Sequence, residues 1–414
     1  MRLGVVFEIY ARYGDWHTCI SFQPAFLTIL ARFLSMSKAK HILVDFSSIR
    51  FGGGVQLSLN FLKNFDSSDF SQYKVSALLP GEGEISSFQF ESTSNGSVFR
   101  APVNLWSRLW FSHTRLQQLL VEEEIDAIFT FFGPGIPHPL KVPSLVSIAY
   151  PIICYPESSF WQHVNLKTRL RQMLINAARC KRLTQGTQLL AETSVMQSRL
   201  ARQLGCPENK IEVIPPAVSS FFSDSPGTPQ EPCRRFLLLS GLAVHKNLWR
   251  LYDVALLGHK AGLDFTFVLT AEREAWRKRI RTKLKIDDKI IDQYFEFCGA
   301  IPSAEIGSLY KSCDALISLS DLESFSNNYM ESWKSGLPLL CSDHDFSRHI
   351  CGKSALYFDP HDPQSLVREM KRLIGSSTKR TEMIQYGKEK LSELPTFPER
   401  YNRIAAILRR MLGE

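Results

Sequence analysis

The chain has 414 residues and a mass of 47.2 kDa, more than one ordinary hydrophobic core takes up, which points to two domains of roughly 200 residues each. With 44% hydrophobic and 22% charged residues it has a globular composition, which excludes a disordered or fibrous chain, and no apolar run approaches the roughly 18 to 20 residues of a membrane span. The net charge of +8 is spread evenly, since residues 1–230 hold 21 basic and 17 acidic side chains and the rest 28 and 24; neither half is a polycation of the kind that binds nucleic acid.

The first 35 residues do not read as a signal peptide: Arg2 is followed by Glu8, and no clean apolar core leads to a small-residue cleavage site. Met36 followed by two lysines and a strand resembles a fresh start, so residues 1–35 are expected to be a mis-called gene start or a peripheral extension. The nine cysteines are dispersed with no C-x-x-C pair, as expected of reduced thiols in a cytoplasmic protein.

Thirteen short apolar runs follow, separated by helix-length segments. In the first half they are 41–47, 74–80, 97–102, 127–132, 144–149, 187–192 and 211–216; in the second, 235–240, 265–270, 294–299, 314–320, 337–342 and 355–359. Continuous apolar strands alternating with helices predict parallel sheets covered on both faces. A Pro-, Ser- and Gly-rich segment near 219–233 reads as a linker. The chain thus divides into a first domain at 36–218 and a second at 234–395, with 396–414 a final helix crossing back to the first. Ligands of such sheets bind beyond the carboxyl ends of the strands.

The run 165–183, NLKTRLRQMLINAARCKRL, carries Lys167, Arg169, Arg171, Arg179, Lys181 and Arg182, with no acid between Glu157 and Glu192. It reads as a solvated helix face, or as a contact with anionic lipid or a phosphorylated acceptor. In FGGGVQLSLNFL, Gly52, Gly53 and Gly54 end a strand and open a helix, either as a tight turn or as a close approach to an anionic ligand. In SGLAVHKNLWRL, Lys246 is placed at a helix start, where the dipole disfavours a cation. It is either an ordinary surface lysine or the partner of a bound diphosphate.

The segment ISLSDLESFSNNYMESWKSGLPLLCSD holds Glu323 and Glu331 around Ser324, Ser326, Asn327 and Asn328. Ser326 to Asn328 are good helix caps, and Gly336 ends the short helix. One glutamate therefore lies before the helix and the other within it. That placement argues against shared acid/base chemistry. It suits an anion site at the helix N-terminus flanked by two carboxylates that accept sugar hydroxyls, although a surface acid beside a capping acid explains the spacing equally well.

Four motifs in order carry a resemblance: LLLSGLAVHKN, FEFCGAIPSAEIGSLYKSCDALISLS, the E-x7-E block above, and CGKSALYFDPHDPQSL. From about 235 to 375 the chain resembles the retaining glycosyltransferases of family 4. That family has the α/β GT-B fold: two Rossmann-like domains whose parallel sheets face a central cleft. The resemblance implies a cytoplasmic transferase, peripheral at the membrane if at all, that moves a sugar from a UDP- or GDP-type nucleotide sugar. The acceptor would be a glycan or a lipid-linked glycan, in polysaccharide or glycoconjugate biosynthesis. No metal or other cofactor is expected. It implies that Lys246 neutralises the leaving diphosphate and Glu323 holds the donor sugar. Phe325, Ser326 and Asn327 would offer backbone donors to the distal phosphate, and Glu331 would hold the ribose. Gly299, Ala300 and Ile301 would lie by the base, Gly241 in the glycine loop, and Gly53 and Gly54 would approach the donor from the other domain.

Three features depart from the family pattern. Leu242 stands where an arginine is common, with Arg348 as a substitute. The first domain has no clear counterpart of the family's acceptor histidine, with His138 and His163 as candidates. Asp343-His344-Asp345 is formally a metal-binding D-x-D, though the glutamate block already accounts for donor binding. A nucleotide-sugar isomerase of the same fold and a catalytically silent binding protein are the rival readings.

Overall fold

The computed structural model describes residues 39–50, 53–90, 96–134, 141–217, 231–280, 282, 285–302 and 305–414. Residues 1–35, Gly52, His138 and most of the expected linker lie outside them.

Each of the thirteen apolar runs contains a strand: β1 His41–Asp45, β2 Lys74–Pro80, β3 Val98–Ala101, β4 Ala127–Thr130, β5 Ser144–Ile148, β6 Gln188–Ala191, β7 Ile211–Val213, β8 Arg235–Leu238, β9 Thr266–Leu269, β10 Phe295–Phe297, β11 Ala315–Ser318, β12 Leu339–Ser342 and β13 Ala355–Phe358. They form two sheets, ordered β3-β2-β1-β4-β5-β6-β7 and β10-β9-β8-β11-β12-β13. Every pairing is parallel. β1, β4, β5, β11 and β12 are buried at every position, because helices cover both faces of each sheet. In both sheets the strand order reverses beside the first strand, between β1 and β4 and between β8 and β11. A crevice opens at such a reversal.

The final helix, Phe397–Leu412, packs on the first sheet although it follows the second in sequence. Tyr401, Ile404 and Leu408 lie on one face and are buried, and Tyr401 stands edge-on to Phe61 with ring centroids 4.9 Å apart. The buried Arg400 donates to the carbonyls of Ile214 and Pro215 at the exit of the first sheet. Thr396 and Glu399 form a capping box that fixes where this helix begins.

Further contacts join the two sheets' domains directly. Arg199 donates to Asp345 at 2.7 Å. Ser159 meets His361 at 2.6 Å, and the Arg250 guanidinium meets His163 at 2.9 Å. With Ser324 bonded to Glu192 at 2.9 Å, these contacts line up the carboxyl ends of the two sheets across one cleft.

Candidate active site

The cleft has a volume of about 910 Å³ and is walled by both domains. The first domain supplies Ser48, Ile49 and Gly54 after β1, Phe132 after β4, Ala149 and Tyr150 after β5, and Glu192 after β6. The second supplies Leu239 to Gly241 and Lys246 after β8, Thr270 after β9, Ala300 and Ile301 after β10, and the segment Glu323 to Asn328 after β11.

The second domain's charged groups are set by local chain geometry. The chain after β8 runs through a 3-10 turn, Val244–Lys246, and is turned by Asn247 in the left-handed conformation at φ 55°. The Asn247 side chain donates to the Leu319 carbonyl at 3.0 Å, tying this loop to the end of β11. Lys246 is thereby held against Glu323, with Nζ 2.5 Å from Oε1. This corrects the expectation of a lysine at a helix start: the α-helix opens only at Leu251, and the lysine's charge is met by a carboxylate. Both side chains are largely buried, so the pair is shielded from solvent and salt.

The helix Asn327–Ser335 begins at the cleft. Ser326 is its N-cap but makes no side-chain cap, and the Asn328 side chain is used elsewhere, donating to Leu239 at 2.8 Å. The expected side-chain capping is therefore not made, and the first turn of the helix stands in the cleft wall without a hydroxyl across it. Gly336, at φ 69°, ends the helix in the left-handed turn that glycine adopts without strain. Glu331, on the second turn, is buried, and its Oε2 accepts from the Tyr310 hydroxyl at 2.9 Å. Burial pushes its pKa up to about 7, against the opposing effect of that hydrogen bond.

Of the residues singled out in the sequence, Gly54, Gly241, Lys246, Ala300, Ile301, Glu323, Phe325, Ser326, Asn327 and Glu331 come together on this wall or face it. Gly299 does not. Gly53 opens the helix Gly53–Asn64. Gly299 is buried at φ 64°, and a Cβ there would come 2.6 Å from Glu272, so it serves the turn after β10. At Gly54 a Cβ would stand 3.3 Å from the Ile49 side chain, so the glycine lets this helix pack close to the chain after β1.

The side candidates are engaged elsewhere. Arg348 forms two hydrogen bonds with Asp343, at 2.5 and 2.7 Å, and lies over Tyr357, so it does not replace the arginine missing at Leu242. Asp345 is paired with Arg199, and His344 faces the buried Asp321 at 3.6 Å. The D-x-D is thus consumed by structural pairs, and no cluster of three metal-ligating side chains exists among the described residues. His163 lies with Arg250 and His361 at the domain junction and does not line the cleft.

Glu192 was not anticipated. It is the buried carboxylate of the first-domain wall, with its pKa raised by burial and held back by Arg400 and by the Ser324 hydroxyl. Its only signal in the sequence is an acid at the carboxyl end of a strand, in LLAE.

Residues 239–390 match the family model described as Glycosyl transferases group 1. Over this stretch the chain is similar to group 1 glycosyl transferases, and the likeness supports a glycosyltransferase activity. The 2-deoxystreptamine glucosyltransferase of Streptomyces kanamyceticus is 23% identical over 267 residues, which cover 60% of this chain and 67% of that protein. Among solved structures, sucrose-phosphate synthase from Thermosynechococcus elongatus superposes with a TM-score of 0.69 at 13% identity, over 90% of this chain and 99% of that one. Anabaena HepE in complex with UDP-glucose gives 0.65 at 15% identity, over 89% and 99%. These likenesses show the fold, which is GT-B.

Proposed function

We propose that this transferase moves a hexose from a UDP- or GDP-type nucleotide sugar to a glycan or lipid-linked acceptor, with retention and without a metal, at the cytoplasmic side of the cell. The observation that carries this reading is the convergence, on one wall of one cleft, of an uncapped helix start, the Lys246–Glu323 pair and the buried Glu331. Anions are favoured at helix starts, so the diphosphate takes the first turn of Asn327–Ser335. Lys246 is then drawn from Glu323 toward the leaving phosphate, where it offsets charge that grows in the transition state. Glu323, released, accepts from hydroxyls of the donor sugar, while Glu331 accepts from the ribose. A fixed lysine and backbone donors supply the stabilisation for which other transferases use a metal ion. The HepE structure is a complex with UDP-glucose, which supports UDP as the first nucleotide to try.

The test is a thermal-shift panel of UDP, GDP, ADP and their sugars, followed by turnover with and without an acceptor. A true donor at a hundredfold excess over its Kd stabilises the protein by about 2.7 kcal/mol. Stabilisation by a nucleotide sugar without any turnover would show the silent binding protein, donor conversion without acceptor would show an isomerase, and stabilisation by none of them would overturn the donor site. NMR of the product's anomeric configuration decides retention.

A further inference from the structure

The helix Leu166–Thr184 is amphipathic with its faces reversed. Leu166, Leu170, Met173 and Leu174 are 71%, 54%, 56% and 75% exposed and share one face at helical spacing. The side toward the protein is polar in its middle. Gln172 donates to Asn176 at 2.9 Å, Asn176 donates to the Ile152 carbonyl at 3.4 Å, and Arg179 lies over the Tyr150 ring at 4.7 Å. Only Leu183, near the end of the helix, is fully buried. A helix meeting water on its outer face carries the opposite pattern. Four large apolar side chains grouped on one face are a patch, not the scattered exposure of an ordinary surface.

We propose that this face docks on an anionic lipid bilayer surface, the apolar stripe entering the headgroup boundary and the basic residues lying against lipid phosphates. Charge selects this occupant. Lys167, Arg169 and Arg171 are exposed beside the stripe, and the helix contains no acid. A second copy of the chain seated face to face would set these cations against one another. The contact is peripheral, since no described helix is long and apolar enough to cross a membrane. The same helix packs its inner side on Tyr150, which lines the cleft, so the docked helix stands behind the first-domain wall, on the side from which an acceptor carrying a lipid tail would arrive. The docking surface does not depend on the transferase reading, because vesicle binding is measured without turnover.

Flotation with phosphatidylglycerol/phosphatidylcholine vesicles and with phosphatidylcholine alone, at low and high salt, tests it. The wild type is expected to float with the anionic vesicles at low salt and to be released by salt. The combined variant Leu166→Ser, Leu170→Ser, Leu174→Ser should lose at least about tenfold in partitioning. Lys167→Gln, Arg169→Gln, Arg171→Gln should lose about fivefold per charge. Both variants should keep the wild-type melting temperature and any nucleotide-induced shift, since the replaced side chains are exposed and do not line the cleft. A wild type that stays soluble with anionic vesicles, or a serine variant that floats unchanged, overturns the proposal. So does a dimer that the serine variant converts to monomer while vesicle binding persists, which would assign the face to a second copy.

Discussion

Replacing Glu331 by glutamine separates charge from shape at the most buried acid of the second-domain wall. The carboxyl's pKa is pushed up to about 7 from an ordinary 4.5, chiefly by burial. Because the folded value lies above the unfolded one, ionisation costs stability. The cost is absent below about pH 4.5, grows through the interval and is complete above about pH 7. At about 1.4 kcal/mol per pH unit, it reaches about 3 kcal/mol. Glutamine does not ionise and still offers an oxygen to the Tyr310 hydroxyl, so without ligand the variant should outlast the wild type in denaturant at about pH 8 and match it at about pH 4. Binding should move the other way. A carboxylate accepts from two hydroxyls only when ionised, so wild-type affinity for a nucleotide sugar should rise about tenfold from about pH 6 to about pH 8. The variant should bind more weakly with a flatter profile. Isothermal titration with an intact nucleotide sugar, whose diphosphate diester does not titrate in this range, reads the affinity, and denaturant unfolding at the same pH values reads the stability. A wild-type affinity that is equal at the two pH values, or a variant less stable at about pH 8, would refute the reasoning.

Lys246→Ala should lower kcat by about 10² to 10³-fold at saturating donor, the usual loss for one charge-stabilising donor; a change confined to KM would instead make the lysine a ground-state contact. Gly387→Ala acts from behind the site. A Cβ there would stand 2.6 Å from Trp333 Cδ1, on the helix that carries Glu331. Overpacking of this kind costs about 1–3 kcal/mol. Thermal unfolding with and without nucleotide should show both a lower melting point and a smaller ligand shift.

The strands were legible because a strand buried on both faces has to be a continuous apolar run, whatever it packs against. β1 and β2 start where their runs start, and the runs around β11 and β12 lose only their ends to loops. The helix at Asn327 and its stop at Gly336 were legible for a similar reason, since each depends on a few adjacent residues. The position of Lys246 was misread from the same kind of local pattern. Its neighbourhood looked like a helix start, but Asn247 breaks the turn to reach Leu319, a contact 72 positions away.

What the sequence determined by itself was therefore whatever rests on neighbours in the chain: two α/β domains, the strand ends that face a cleft, and two glutamates disposed before and within one helix. What only the tertiary structure decided was who meets whom across long intervals. Lys246 meets Glu323, Ser324 reaches Glu192 from the other domain, and Arg348 and the D-x-D acids are taken up in structural pairs. The same holds for the basic run, whose periodicity is the same whichever side faces the protein. Only packing against Ile152 and Tyr150 turned its polar side inward and left its leucines outside.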